Sequence, residues 1–459
     1  MKDLFRPRSV AMIGASQVPF KVGTLGVEAL TSGQFEGSIY FVNPNREGSI
    51  AGRPIYSSIA DLPDGVDTFV FAIPPRFIPE SLEEAGEKGG RLAVIFSGGF
   101  KETGDEGRIL EERLRQVADK WSMKIMGPNC LGFVNTSIGL NASFTPAFSR
   151  LLPGPVSVIT QSGGMGNIIL GQLAEVGIGV SKWFSVGNRA NIEFADLLSY
   201  LGEDPETKII ILFLEGVDDG RRFLTAARNT ASKKPVLALL AGYTQAASRC
   251  ALSHTGSFAV SERIYREALR QAGVLTLESA EEVADVSLAL SLIFPWRESK
   301  IGLLTTTAGP AIVTASICER NGVEVPLLGP STRKEIEKII PAEGYAGNPI
   351  DMLATGWADP ITYVKVSDIL LREEAIAGLI VFYFPPRNID LMFPLNEFGE
   401  MAARHQKPVL VAYGDRFCLK RDQEQWARWK IPLYTTPERV ARVAVNLSRL
   451  ARIRQEGCT

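Results

Sequence analysis

Short apolar runs recur along the chain, and nearly every one stops at glycine, proline, serine or asparagine. In the first third they are Val10-Ala11-Met12-Ile13, Ile39-Tyr40-Phe41-Val42, residues 68–73, residues 92–96 and Lys124-Ile125-Met126. Patterns of helical period lie between them, as at 22–30. Unbroken apolar runs predict strands covered on both faces, and their alternation with helices predicts a parallel sheet with crossover helices. A second set of runs covers 156–159, 180–186, 209–214, 235–240 and 273–277, with a helix over 258–272. A third covers 301–305, 325–328, 376–384, 408–413 and 431–434, and a basic amphipathic helix follows over 437–454. Proline-bearing stretches at 144–155 and 294–299 read as linkers. The expectation is an α/β chain in three parts, 1–147, 148–296 and 297–459.

Composition narrows the class. Of the 459 residues 45% are hydrophobic and 22% charged, which is globular and not disordered. A net charge of −2 gives no footprint for nucleic acid. No apolar run approaches the roughly 18–20 residues of a membrane span. The first residues, Met1-Lys2-Asp3-Leu4-Phe5-Arg6-Pro7, lack an apolar signal region. Five scattered cysteines (Cys130, Cys250, Cys318, Cys418, Cys458) suit reduced thiols in a cytoplasmic protein. None has zinc-like spacing, so no metal is expected on this chain.

Ligands of open α/β sheets sit beyond the carboxyl ends of the strands. Five small or polar strand ends in the first set favour a ligand site over ordinary turns. The first turn is Gly14-Ala15-Ser16-Gln17 and lacks G-x-G-x-x-G. The second strand ends at Asn43, where a nicotinamide site usually holds an acid. Both features disfavour a nicotinamide oxidoreductase and leave a phosphate-bearing nucleotide. In the second set, Gln161-Ser162-Gly163-Gly164 ends a strand and opens a helix. That arrangement suits an anion, or is simply a tight turn. It lacks the lysine of a Walker loop. Glu215 ends the run 209–214, either as an active-site carboxylate or as a cap for the next helix, a cap that Asp218 could also supply.

The chain has two histidines. His405, in Ala403-Arg404-His405-Gln406-Lys407, reads as a solvated helix end. His254 lies in Ser253-His254-Thr255-Gly256-Ser257, among small residues that permit movement. An imidazole nitrogen can take a phosphoryl group if a carboxylate such as Glu215 holds the other nitrogen and an anion cradle receives the phosphate. From the residues alone a capping histidine is an equal alternative.

The motif Ser253-His254-Thr255-Gly256-Ser257 resembles the phosphohistidine loop of the nucleoside-diphosphate-forming acyl-CoA synthetases, relatives of succinyl-CoA synthetase. The resemblance runs along nearly the whole chain and is nearest to α subunits of the ADP-forming acetyl-CoA synthetases. It includes Ile13-Gly14-Ala15-Ser16 with Lys21-Val22-Gly23, Asn43-Pro44-Asn45, Ile73-Pro74-Pro75, Ser97-Gly98-Gly99-Phe100 and Gly127-Pro128-Asn129-Cys130-Leu131-Gly132. Gln161-Ser162-Gly163-Gly164, Ser185-Val186-Gly187-Asn188, Leu214-Glu215-Gly216 and Asn348-Pro349-Ile350-Asp351 follow in order. It implies a Rossmann-type CoA-binding domain followed by two flavodoxin-like domains. The implied coenzyme A residues are Gly14, Ala15, Ser16, Gln17, Lys21, Asn43, Pro44, Ile73, Pro74 and Asn129. The implied phosphate residues are Gln161, Ser162, Gly163 and Gly164, and the implied catalytic pair is His254 with Glu215. The implied reaction converts acyl-CoA, ADP and phosphate to acid, CoA and ATP, reversibly. The family's nucleotide site, with ADP or ATP and Mg2+, is on an ATP-grasp module. Nothing in this sequence resembles that module, so a separate ATP-grasp β subunit in an α2β2 assembly is expected. A non-catalytic CoA-binding regulatory or scaffold protein is the alternative. Ala308-Gly309-Pro310-Ala311, Ser316 and 355–359 depart from the family pattern in the third part.

Overall fold

The structure is a computed structural model and describes residues 1, 3–241, 262–293, 295–385 and 393–456. His254 and its loop lie outside the described residues. The chain divides into two compact units, Met1–Val283 and Ala284–Thr459.

The first unit holds two sheets. The strands of the first are β1 (Ser9–Ile13), β2 (Ser38–Val42), β3 (Ser49–Ile50), β4 (Arg53–Tyr56), β5 (Thr68–Phe71), β6 (Leu92–Ile95) and β7 (Lys124–Met126). Their spatial order is β3-β4-β2-β1-β5-β6-β7. Strand β1 lies between β2 and β5, parallel to both, with Val10 opposite Ile39 on one side and Thr68 on the other. The direction of winding reverses there, so the carboxyl end of β1 opens a crevice. Helices α1 (Val22–Ser32), α2 (Ile78–Glu87) and α3 (Asp105–Lys120) make the crossovers. Helix α3 buries Gly107, Glu111, Leu114 and Ala118, a stripe at helical spacing.

The second sheet contains β8 (Gly132–Asn135), β9 (Leu140–Ser143), β10 (Val156–Thr160), β11 (Val180–Ser185), β12 (Ile209–Leu214), β13 (Val236–Leu240) and β14 (Leu275–Leu277). Its order is β14-β13-β12-β10-β11-β8-β9. All six residues of β12 are buried, as expected of a central strand covered by helices on both faces. The helices are α4 (Gly163–Glu175), α5 (Phe194–Glu203), α6 (Gly220–Ala231) and α7 (Glu262–Gln271). Strands β8 and β9 precede residue 147 yet pair antiparallel in this second sheet, so the first sheet ends before the boundary expected from the sequence. The N-terminus also crosses over. Phe5 packs on Phe133, Phe184 and Tyr200, with ring centroids 4.7 to 5.4 Å away, which gives the two sheets one continuous core.

The second unit carries β15 (Ile301–Thr305), β16 (Ile350–Asp351), β17 (Gly378–Tyr383), β18 (Val409–Tyr413) and β19 (Leu433–Tyr434), in the order β16-β15-β17-β18-β19. The expected strand at 325–328 does not form. Pro326 has no N–H to give, and only the bridge from Lys300 to Glu324 remains. The Asn348 side chain occupies the edge of β15 instead. It donates to the carbonyls of Ile301 (2.9 Å) and Pro326 (3.0 Å) and accepts from the Leu303 N–H (2.9 Å). The expected second linker is partly core: Trp296 is buried and its indole N–H donates to Ser448 Oγ. Residues 284–292 of α8 (Ala280–Leu292) fall in this unit, where Tyr434 and Arg439 bond Asp285. No described helix is long and apolar enough to cross a membrane.

Candidate active site

A cleft of about 1070 Å³ opens at the carboxyl ends of β1, β2 and β5. Gly14, Ser16, Lys21, Asn43, Pro44, Ile73 and Pro74 line it. The turn after β1 is built by close approach. Gly14 has φ +88°, and a side chain there would strike the Ala72 carbonyl at 2.6 Å. A Cβ on Gly23 would lie 2.1 Å from the Gly14 carbonyl, so α1 can rest its first turn on the strand end only through glycine. Ala15 is buried, and Gln17 is exposed with its amide 3.5 Å from the Ser49 carbonyl. Asn43 is an amide for a structural reason. Its Nδ2 donates to the Ala15 carbonyl at 2.7 Å and its Oδ1 accepts from the Asn45 N–H at 3.0 Å. A carboxylate could not make the first of these bonds. Arg46 and Phe20 also line the cleft and were not anticipated. The free N-terminus of α1 with Lys21 and Arg46 suits phosphate groups, and the apolar remainder suits a long ligand such as coenzyme A.

Asn129 is not among the residues lining that cleft. It sits at the junction of the two sheets, where its N–H donates to the Ser97 carbonyl and its Nδ2 lies 3.5 Å from Asn188 Oδ1. The neighbouring Asn188 N–H donates to the Pro128 carbonyl.

In the second sheet, β10 lies between β11 and β12, and the same reversal makes a second crevice at its end. Ser162 caps α4, accepting from the Met165 N–H at 3.4 Å. A Cβ on Gly163 would lie 1.6 Å from Leu131 Cδ1 and would force that side chain to move, whereas Gly164 meets only Ser162 Oγ, at 3.9 Å. The first N–H groups of a helix have no partner inside it, so this end offers donors and a positive dipole. Strand β12 is in register with β10, Thr160 opposite Phe213, which sets Glu215 beside the α4 turn. The Gln161 side-chain oxygen, Oε1, accepts from the N–H groups of Glu215 (2.8 Å) and Gly216 (3.1 Å). Two donors at one end fix the amide orientation, and the Gln161 Nε2 is then buried with no hydrogen-bond partner among the described residues. Glu215 is half-buried.

Asp218 is not the cap of α6. Asp219 has that role, accepting from the Arg222 N–H at 3.0 Å. Asp218 instead pairs with Arg189 at 2.8 Å and with Lys101 of the first sheet at 3.5 Å. The cation–carboxylate contacts carry no sequence signature, since their partners are up to 117 positions apart (218 − 101). His405 does more than sit in solvent: its Nε2 is 2.9 Å from Asp368 Oδ1. Among the described residues no group of three or more His, Cys, Asp or Glu is placed to hold a metal ion. Burial pushes the Cys130 thiol up to about 12, which suits packing and not nucleophilic chemistry.

With a crevice at the winding reversal of each of its first two sheets, the chain falls with the acid–CoA ligases of the succinyl-CoA ligase type. Three family models match in that sense: a CoA binding domain over residues 8–136, a succinyl-CoA ligase like flavodoxin domain over 153–290 and a Ligase-CoA domain over 301–428. The chain belongs to the family of ADP-forming acetate–CoA ligase α subunits. It is 35% identical to the α subunit of ADP-forming acetate–CoA ligase II of Pyrococcus furiosus, over 98% of this chain and 97% of that one. It is 36% identical to ADP-forming acetate–CoA ligase I of Archaeoglobus fulgidus over 85% of this chain, but that match spans 56% of the longer relative. An acetyl-CoA synthetase of Candidatus Korarchaeum cryptofilum, solved with phosphate and ADP, superposes with a TM-score of 0.89 at 31% identity, covering 100% of this chain and 98% of that chain.

Proposed function

We propose that the protein is the α subunit of an ADP-forming acyl-CoA synthetase of the acetyl-CoA type. Acyl-CoA lies in the first-sheet cleft with its phosphates toward Lys21, Arg46 and the α1 N-terminus. Orthophosphate, held at the N-terminus of α4, attacks the thioester carbonyl. The C–S bond breaks, the thiol leaves with a proton and an acyl phosphate forms. His254 then attacks phosphorus, releasing the carboxylate and forming an N–P bond. Glu215 holds the other ring nitrogen and stabilises the imidazolium. The amide of Gln161 and the N–H groups at Gly163 and Gly164 stabilise the phosphoryl oxygens. The phosphohistidine passes its phosphoryl group to ADP on an ATP-grasp β subunit that also binds Mg2+, in an α2β2 assembly.

The observation that carries this reading is the juxtaposition of Glu215 with the α4 end, bridged by Gln161. With acetyl-CoA and ³²P-labelled phosphate the chain should acquire acid-labile, base-stable label. His254→Ala should abolish it and Glu215→Gln should slow it by about 10²-fold or more. Label surviving in His254→Ala would refute the assignment.

A further inference from the structure

A cluster of charged side chains outside the cleft and the α4 turn lies where the two sheets of the first unit meet. Its centre is Arg189, in the loop after β11. Arg189 has φ +61°, a left-handed conformation that a long side chain rarely adopts, and its side chain is 1% exposed. Its guanidinium meets Asp218 at 2.8 Å and Glu193 at 3.4 Å. Removing a guanidinium from water costs several kcal/mol, and a well-packed apolar residue would stabilise a core as well or better. The loop that Arg189 grips is the one that carries Glu215. That loop is fixed at its start by Gln161, and Asp218 is its next anchor before the cap at Asp219.

The other side of the cluster belongs to the first sheet. Lys101 follows the Ser97-Gly98-Gly99-Phe100 strand end and reaches Asp218 at 3.5 Å. Glu102 accepts from the Gly99 N–H at 2.6 Å, closing that strand end, and from Asn188 Nδ2 at 2.5 Å. Asn188 adjoins Arg189 in sequence. The contacts thus run from the strand end of the first sheet through Glu102 and Asn188 to Arg189, Asp218 and the Glu215 loop, with Lys101 as a direct cross-tie.

We propose that Arg189 and Lys101 are positioning residues for Glu215: by clamping Asp218 they fix the Glu215 carboxylate relative to the strand ends where the acyl phosphate is made. The proposal rests on the role given to Glu215 above. Charge supports it. Burial raises the Asp218 carboxyl, but Arg189 and Lys101 outweigh burial and hold it below the usual range. Burial pushes the Glu193 carboxyl up to about 7, with Arg189 opposing the rise and Asp218 adding to it. The charged groups facing Glu193 are Arg189 on its own loop, Asp218 from the β12–α6 loop and Lys101 from the first sheet. Protonated Glu193 hydrogen-bonds Asp218, whereas ionised Glu193 repels it.

The test uses the full chain with acetyl-CoA and ³²P-labelled phosphate, reading the initial rate of acid-labile labelling against acetyl-CoA concentration and pH. Lys101→Met and Asp218→Asn alter solvent-edge side chains; because Asp218→Asn also leaves the buried Arg189 guanidinium without its nearest carboxylate, the melting temperature is read beside the rate, and Lys101→Met is the variant that spares that pair. Each should lower the maximal labelling rate about ten-fold to a hundred-fold, the scale of a small misplacement of a catalytic group. The acetyl-CoA concentration at half-maximal rate should stay within about two-fold, well under the 1.4 kcal/mol of a ten-fold change. Glu193→Gln should remove a step in the pH–rate profile near 7. Wild-type rates in Lys101→Met and Asp218→Asn, with Glu215→Gln inactive, would overturn the proposal and leave Glu215's role standing. A loss confined to acetyl-CoA affinity would overturn it as well. Wild-type labelling in Glu215→Gln would instead refute the role of Glu215 on which the proposal rests.

Discussion

Asn43 and Gln161 each join two segments through one side-chain amide. Asn43 ties the end of β2 to the turn after β1, and Gln161 ties the end of β10 to the loop after β12. Replacing Asn43 by aspartate keeps the shape but turns the donor at Ala15 into a carboxylate facing a carbonyl 2.7 Å away. The expected cost is about 1–3 kcal/mol in denaturant unfolding, with weaker CoA binding by calorimetry. An unchanged affinity would show that the first turn holds its shape without the amide. Both residues were picked out from the sequence by their place at the ends of apolar runs and by the family resemblance. What the amides do was not legible there, because hydrogen-bond direction depends on which distant carbonyl or N–H the fold brings up.

The strands that form one face-to-face register were legible as elements, and those that depart from the apolar pattern were not. Strand β12 was read residue for residue. Strands β8 and β9 were missed because polar residues interrupt their short apolar runs: Asn135, Asn141 and Ser143 are all buried. Their polarity is satisfied locally, Asn135 Nδ2 donating to the Phe5 carbonyl and Ser143 Oγ to Asn141 Oδ1. Periodicity sees hydrophobicity, not satisfied polarity. The loop before α5 carries a prediction of the same scale. Burial pushes the Glu193 carboxyl up from the usual 4.5 to about 7. The folded state therefore holds a proton that the unfolded state has lost between these values, and stability falls as pH rises from about 4.5 to about 7. Glu193→Gln removes this term. Its melting temperature should gain on wild type more at pH 8 than at pH 4.5, and a pH-independent difference would contradict the assigned titration.

For the molecule as a whole, three α/β sets were legible from the sequence, but their joining was not. The first two sheets share one core, and Phe5 is the side chain that enters it from the chain's start. Truncating a buried phenylalanine typically costs about 3–5 kcal/mol, so Phe5→Ala should unfold the first unit at a markedly lower temperature by calorimetry. A change under about 1 kcal/mol would mean the site collapses around the gap. The cleft and the α4 crevice follow from the same rule of winding reversal, and the sequence displayed both as glycine-rich strand ends. The clamp on Asp218 was invisible because its members come from both sheets.

Phe5 also sets an order of events during synthesis. It leaves the ribosome ahead of its partners Phe133, Phe184 and Tyr200, which are made up to about 200 residues later. At about 5–20 residues per second, that ring waits on the order of 10–40 s with no surface to cover it. The nascent N-terminal sheet is thus an incomplete product until the second sheet is translated.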